Sequence, residues 1–160
     1  MSLVMLEIKV IEEGLYQKIR EVIPTVCVDL LVTRPAPHDA FLLVKRTESP
    51  AKGEWWFPGG RILKWEEYRE TAIRKAQEEL GIDVTLGRTV SIEDYFAEED
   101  GYHTVNIVVH AMCYNDTIKL KNDHSGYEWV EKVSEDLHPC IKNPLLMYGF
   151  EPAHPQSSSY

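Results

Sequence analysis

An irregular segment, residues 49–65 (SPAKGEWWFPGGRILKW), runs straight into a helix-forming stretch, residues 66–80 (EEYRETAIRKAQEEL), stopped by Gly81. Its prolines and glycines exclude regular structure from the first part, and a glycine just past the last turn suits a helix end. At about 100° per residue, Ala72, Ile73, Ala76 and Leu80 form one apolar stripe, with Lys75, Glu78 and Glu79 together beside it. The stripe demands a partner surface, and the flank presents two adjacent carboxylates. Taken alone, that flank is a solvated face with Arg74–Glu78 and Lys75–Glu79 pairs, although the base precedes the acid in both, the weaker order on a helix. The context changes the weighting. Gly59 and Gly60 stand a short way before Glu66, where a tight loop can aim a backbone carbonyl and the helix carboxylates at one hard cation. Oxygen ligands of that kind suit Mg²⁺ or Mn²⁺.

The rest of the chain supplies the partner surface. Residues 11–22 have helical apolar spacing (Leu15, Ile19, Val22) and end before Pro24. The run TVCVDLLVT and then AFLLVKR read as strands. Beyond Gly81, DVTL, TVSIEDYF, HTVNIVVHAMCY and YEWV read as four more, joined by the polar turns AEEDGY and KNDHSG. Short helices are expected near residues 133–137 and 143–148. Helices interspersed with mixed strands fit an α+β or α/β/α sandwich. At 160 residues one domain is expected, residues 1–151, with 1–23 as an N-terminal strand or helix extension and 152–160 as a flexible tail.

Charge narrows the partners. With 26 acidic against 17 basic residues and a formal charge of -9, the chain is a poor match for nucleic acid. An acidic protein acting on a phosphorylated small molecule must neutralise it locally, with a divalent cation and a few placed arginines. Cys27, Cys113 and Cys140 are far apart and odd in number, which suits small core residues in a reducing compartment. The absence of a long apolar run leads to the expectation of a soluble cytoplasmic protein with no membrane partner.

Gly60, Glu66, Arg74, Ala76, Glu78, Glu79, Gly81 and Ile82 stand at the spacing of the Nudix hydrolase signature, and the chain resembles that family. The resemblance implies an α/β fold, the Nudix-type α/β/α sandwich with a mixed sheet. One position departs from it: the residue after Arg74, ordinarily a glutamate that serves as metal ligand or base, is Lys75, and an ammonium cannot hold a cation. The same loss occurs in the GDP-mannose mannosyl hydrolase branch, where attack moves from phosphorus to the anomeric carbon. KRTESPAKGEWWFPGGRILK, VCVDLLV and DHSGYEW resemble segments of that branch, over roughly residues 12–130. Asp123 stands where the branch has a glutamine ligand, and Tyr95 falls near one of its histidines.

The resemblance implies a nucleotide-sugar hydrolase, a homodimer whose N-terminal helix helps at the interface. It implies Mg²⁺ held by the Gly59 carbonyl, Glu79 and Asp123, with Glu78 nearby, and Arg46, Arg74 and Arg61 on phosphate oxygens. Arginine's planar fork suits that task. It implies His124 as the base that takes a proton from water, Asp29 near the sugar and Tyr95 at the substrate. Each has a plainer alternative: a solvated turn residue for His124, a paired structural acid for Asp29, a surface residue for Arg46, an orienting role for Arg74. Trp55, Trp56 and Trp65 read as core aromatics, and His103 and His110 as packing residues on a strand. An ordinary Nudix pyrophosphatase, attacking phosphorus, is the rival enzyme, and a nucleotide-binding module without turnover is the rival from another class.

Overall fold

The computed structural model describes residues 11–37, 39–115, 117–121 and 123–154. Its centre is strand β1 (Thr25–Thr33), whose β-branched and aliphatic residues favour a pleated, doubly buried position. β1 runs parallel to β6 (Tyr102–Cys113), in register from Thr25↔Thr104 to Thr33↔Met112. On its other side it meets β2 (Phe41–Arg46) at Thr33↔Phe41 and β4 (Gly59–Arg61) from Asp29↔Gly59 to Cys27↔Arg61, both antiparallel. β2 also carries β3 (Trp55–Trp56) and β7 (His124–Val130), and β6 carries β5 (Val84–Ala97). The sheet is therefore mixed.

Strand alternation divides the core in two. Val28, Leu30 and Val32 of β1 and Leu42 and Val44 of β2 pack under Ala72, Ala76 and Leu80 of helix α2 (Tyr68–Lys75) and its continuation. Leu31, Phe41 and Leu43 face the other way, onto Ile141 and Leu145 of α3 (Pro139–Tyr148). Each fully buried aliphatic contributes about 1.5–3 kcal/mol. Helices on both faces of a mixed sheet make the α/β/α sandwich expected above. Among the described residues no helix is long and apolar enough to cross a membrane.

Several local expectations are revised. The two strands expected over 83–86 and 89–96 are one, Val84–Ala97, with register shifts between Leu86 and Ser91. Gly87 lies at the irregularity, where a Cβ would meet His110 Nδ1 at 2.4 Å. No helix forms at 133–137: Val133 instead bridges to Pro152, and the last helix starts earlier, at Pro139, whose fixed φ suits a first turn. The N-terminal helix α1 is shorter, Glu13–Arg20, and buries none of its residues; Leu15 and Val22 of its apolar stripe are exposed. Residues 1–10 of the expected extension and 155–160 of the expected tail lie outside the described residues. Trp56 is a core residue as expected, but Trp65 is exposed and takes a positive φ of 73°. Cys27 is half-buried, unlike the buried Cys113 and Cys140.

Candidate active site

The site grows from the junction of loop and helix. Glu66 ties them together: it accepts hydrogen bonds from Leu63 N (3.1 Å), Thr71 Oγ1 (2.7 Å), Arg74 Nε (2.6 Å) and Arg74 Nη2 (3.0 Å). Burial alone would raise its pKa, but Arg74, Thr71 and the Leu63 N–H outweigh it and hold the carboxyl at about 2. Arg74 also donates to the Arg61 carbonyl (2.9 Å) and to Glu78 (3.0 Å). With its fork spent on the loop and on two carboxylates, Arg74 braces the junction of loop and helix and does not line the cleft described below. Arg74→Ala is expected to destabilise the fold by about 2 kcal/mol at pH 7, because Glu66 would stay buried without its partner. A depressed carboxyl gives stability above its ordinary value of 4.5 and loses it as pH falls towards about 2. The gap between variant and native protein in urea melts should therefore narrow below pH 4.5.

After Lys75 the helix widens into one π-helical turn, Ala76–Leu80, and ends on Gly81 in the left-handed region (φ 64°). π-turns of this sort recur at functional sites. The step of about 100° no longer applies there, and the two adjacent carboxylates separate: Glu79 is buried, while Glu78 points out to solvent with its side chain 48% exposed. Residues 117–121 clasp the turn, Lys119 N donating to the Leu80 carbonyl (2.8 Å) and Lys121 N to that of Glu79 (3.3 Å). The clasp delivers His124 to Glu79. His124 opens β7 opposite Arg46, beside a bulge, so it is a buried strand residue where a polar turn was expected.

A cleft of about 310 Å³ opens over this junction. Asp29, Arg46, Gly59, Arg61, Glu79, Tyr95, Asp123 and His124 all line it; Arg74 and Glu78 do not. At its floor, Glu79 accepts from Lys75 Nζ (2.5 Å) and from His124 Nε2. Burial would raise the Glu79 pKa, but those two donors hold it below its usual value, so it is an anion at neutral pH. An ionised carboxylate only accepts, so Nε2 carries the hydrogen of that bond. His124 Nδ1 is buried with no hydrogen-bond partner among the described residues.

Asp29, 4% exposed, accepts from Asn106 Nδ2 (2.7 Å). Burial pushes its pKa up to about 6 against the opposing pull of Asn106, Arg46 and Trp56. Gly59 must be glycine here, since a Cβ would lie 2.2 Å from the Val28 carbonyl oxygen and 2.8 Å from Asp29 Oδ1. Arg46 Nε donates to the Pro50 carbonyl (2.7 Å), which fixes the guanidinium while its terminal nitrogens make no hydrogen bond among the described residues. Tyr95 is a core residue with one side on the cleft, packed edge-on against Trp56 and His138. Asp123 is exposed at the rim, its backbone carbonyl accepting from Thr47 N (3.0 Å).

Sequence reading missed several lining residues: Lys75 as a cation inside the cleft, Asn106, Cys27, and Tyr16 and Tyr102 near the mouth. Asn106 had a signal, a lone amide in the apolar run of β6. Tyr16 stacks with Arg61 and Tyr102 with Arg20, each guanidinium 3.8 Å from a ring centroid, and no local pattern announces such pairs. Cys27 is no nucleophile, since burial first and Asp29 second push its thiol up to about 12.

The NUDIX domain model matches residues 24–139. The chain belongs to the Nudix family. This Nudix domain is 30% identical over 129 residues to the low-salt glycan biosynthesis protein Agl8 of Haloferax volcanii, covering 77% of this chain and 81% of that protein. It is 27% identical over 113 residues to the CTP pyrophosphohydrolase of Escherichia coli, covering 70% and 74%. In fold it resembles the MutT NUDIX hydrolase from Burkholderia pseudomallei, with a TM-score of 0.69 at 23% identity over 78% of this chain and 98% of that one. The MutT protein from Methanosarcina mazei superposes with a TM-score of 0.59 at 28% identity, over 68% and 78%. Nudix hydrolases act on small nucleotide compounds and generally use divalent metals.

Proposed function

We propose that this Nudix hydrolase cleaves a nucleoside-diphosphate sugar of the GDP-mannose kind by attack of water at the anomeric carbon, releasing nucleoside diphosphate and free hexose. The observation that carries the reading is the floor of the cleft. Where the family signature places a further helix carboxylate there is the Lys75 ammonium, paired to Glu79, so α2 and its π-helical turn together offer the cleft one carboxylate. That loss weakens metal chemistry at phosphorus and leaves a need that carbon attack does not have. The name of the Haloferax relative, a glycan biosynthesis protein, is in keeping with a sugar-linked substrate.

The donors suit Mg²⁺, with Mn²⁺ as substitute. Among the described residues no three His, Cys, Asp or Glu side chains stand close enough to form a closed metal cage. Mg²⁺ asks for less, since it commonly takes one or two carboxylates and completes its shell with substrate phosphates and water. Glu79, the Gly59 carbonyl and Asp123 are the oxygens that would hold it; bound, it would neutralise the diphosphate. Arg46 and Arg61 bind phosphate oxygens, Tyr95 walls the substrate, and Asp29 faces the sugar, its anion favouring positive charge on the ring. His124 takes the proton of the attacking water. The accepting nitrogen is Nδ1, which has no hydrogen-bond partner among the described residues, since Nε2 already carries the hydrogen it donates to Glu79. The exposed apolar residues Leu15 of α1 and Val22 just beyond its end support a homodimer that covers them.

Run in ¹⁸O-water with GDP-mannose and then other nucleoside-diphosphate hexoses, the reaction should give labelled hexose of inverted anomeric configuration and unlabelled nucleoside diphosphate, because one direct displacement leaves no covalent intermediate. The Escherichia coli CTP pyrophosphohydrolase favours the rival reading, attack at phosphorus. Label in a nucleoside monophosphate or sugar phosphate would establish that rival and overturn carbon attack.

A further inference from the structure

The family signature gives no role to a lysine after Arg74, yet Lys75 is built into the cleft. Its side chain is 14% exposed and lines the same cavity as Arg46, Arg61 and His124. Its position is held from two sides. Glu79 Oε1 lies 2.5 Å and Glu78 Oε2 3.3 Å from Nζ, while a Cβ on Gly60 would meet Lys75 Cε at 2.6 Å and Nζ at 3.0 Å. The bare glycine backbone is thus what lets the lysine stem lie across the loop and reach the cleft floor. An ammonium has three N–H donors. Glu78 and Glu79 take two, and the third has no partner among the described residues.

A purely structural lysine would be expected to spend its charge on Glu79 and no more. Two facts point further. Glu79 already has His124 as a second donor, so it does not depend on Lys75 alone for compensation. And in a chain of formal charge -9, a half-buried cation in a cavity with Asp29 and Glu79 on its walls offsets the repulsion that an incoming diphosphate would feel. A lysine is a standard point-charge partner for phosphate.

We propose that Lys75 is a substrate-binding residue, its ammonium donating to a phosphate oxygen of the diphosphate and supplying with a tethered charge part of the neutralisation that a bound cation would otherwise supply. The assignment rests on the reading of the cleft as a nucleoside-diphosphate site, and it does not depend on which bond breaks.

Calorimetric titration of GDP into the full chain tests it, in Mg²⁺ and in excess chelator. In chelator, Lys75→Met should bind about ten-fold more weakly than the native protein, the size of one charge-assisted hydrogen bond near solvent, and Lys75→Arg should keep most of the affinity. In Mg²⁺ the loss should be smaller. A contact must be told from simple neutralisation of Glu79, so the same ratio is read in a Glu79→Gln background, where that negative charge is gone. There the doubly substituted protein should still bind about ten-fold more weakly than Glu79→Gln alone. Equal affinities of those two, or of the native protein and Lys75→Met in both buffers, would overturn the assignment while leaving the nucleotide site standing. Native protein that binds GDP in neither buffer would bring down the nucleotide reading and the Lys75 contact with it; binding in Mg²⁺ alone moves the comparison to that buffer.

Discussion

His124→Gln should lower kcat by 10²- to 10⁴-fold, about the size of a general-base contribution, with little change in melting temperature. The imidazole side chain is 2% exposed and its Nε2 donates to Glu79, so a glutamine can fill the space and keep one hydrogen bond through its amide. What it cannot do is accept and hold a proton from water. Glu79 fixes which nitrogen carries the hydrogen in the resting protein, as carboxylates commonly do for imidazoles that work in catalysis. Steady-state rates with GDP-mannose, alongside a thermal melt, check the expectation. Near-native turnover in a folded variant would remove His124 from the mechanism, and a collapse of the melt would make it structural.

Asp29→Asn should do two opposite things: cut kcat by about a hundredfold or more and stabilise the fold. The catalytic loss follows from removing an anion beside a ring that becomes cationic. The stabilisation follows from the pKa. Burial raises Asp29 from 3.8 to about 6, so the folded protein holds this proton more tightly than the unfolded chain. For a carboxyl raised in this way, stability is whole below 3.8, falls as pH climbs from there to about 6, and stays reduced above. The shift corresponds to about 3 kcal/mol at most. An asparagine carries no charge to desolvate and can still accept from Asn106 Nδ2, so urea melts at pH 7–8 should show most of that gain, shrinking to nothing by about pH 4. In the native protein kcat/KM should rise with pH through about 6 as the carboxyl ionises, and the variant should lose that limb. A variant no more stable at pH 8 than at pH 4, relative to native, would show that Asp29 bears no desolvation penalty.

The gain in stability on removing a functional group is the trade-off expected where a site keeps a charge buried for chemistry. Gly59 belongs to the same arrangement. It lets β4 pass close enough to β1 for Asp29 to be sealed from solvent, and any side chain there would push the two strands apart.

The helix was legible in the residues because its signals are local. Apolar spacing marks the face of α2 and Gly81 ends its π-helical continuation, whereas the proline- and glycine-rich segment expected to be irregular holds two short strands, Trp55–Trp56 and Gly59–Arg61, because β2 and β1 offer them partners that no local signal announces. The strand alternation of Val28, Leu30 and Val32 against Leu31 likewise follows from pleat alone, and with it the mixed sheet between helices. The separation of Glu78 from Glu79 was not legible, because the π-helical turn that produces it is stabilised by a clasp from residues 117–121, remote in sequence. Nor was the burial of His124, which a polar turn motif disguised until β7 paired with β2 and brought the ring onto Glu79. Arg74 could be placed on the helix from sequence, but its direction depended on where Glu66 and the Arg61 carbonyl came to rest. Periodicity acts between neighbours along the chain, whereas the partner of a charge is chosen by whatever the fold carries within about 3 Å of it. Sheet and helix stand in the residue pattern, and so does the Lys75–Glu79 pair, four residues apart on one flank; the meeting of that pair with His124 in one cleft waits on the fold, because β7 must close against the end of the helix before the ring can reach Glu79.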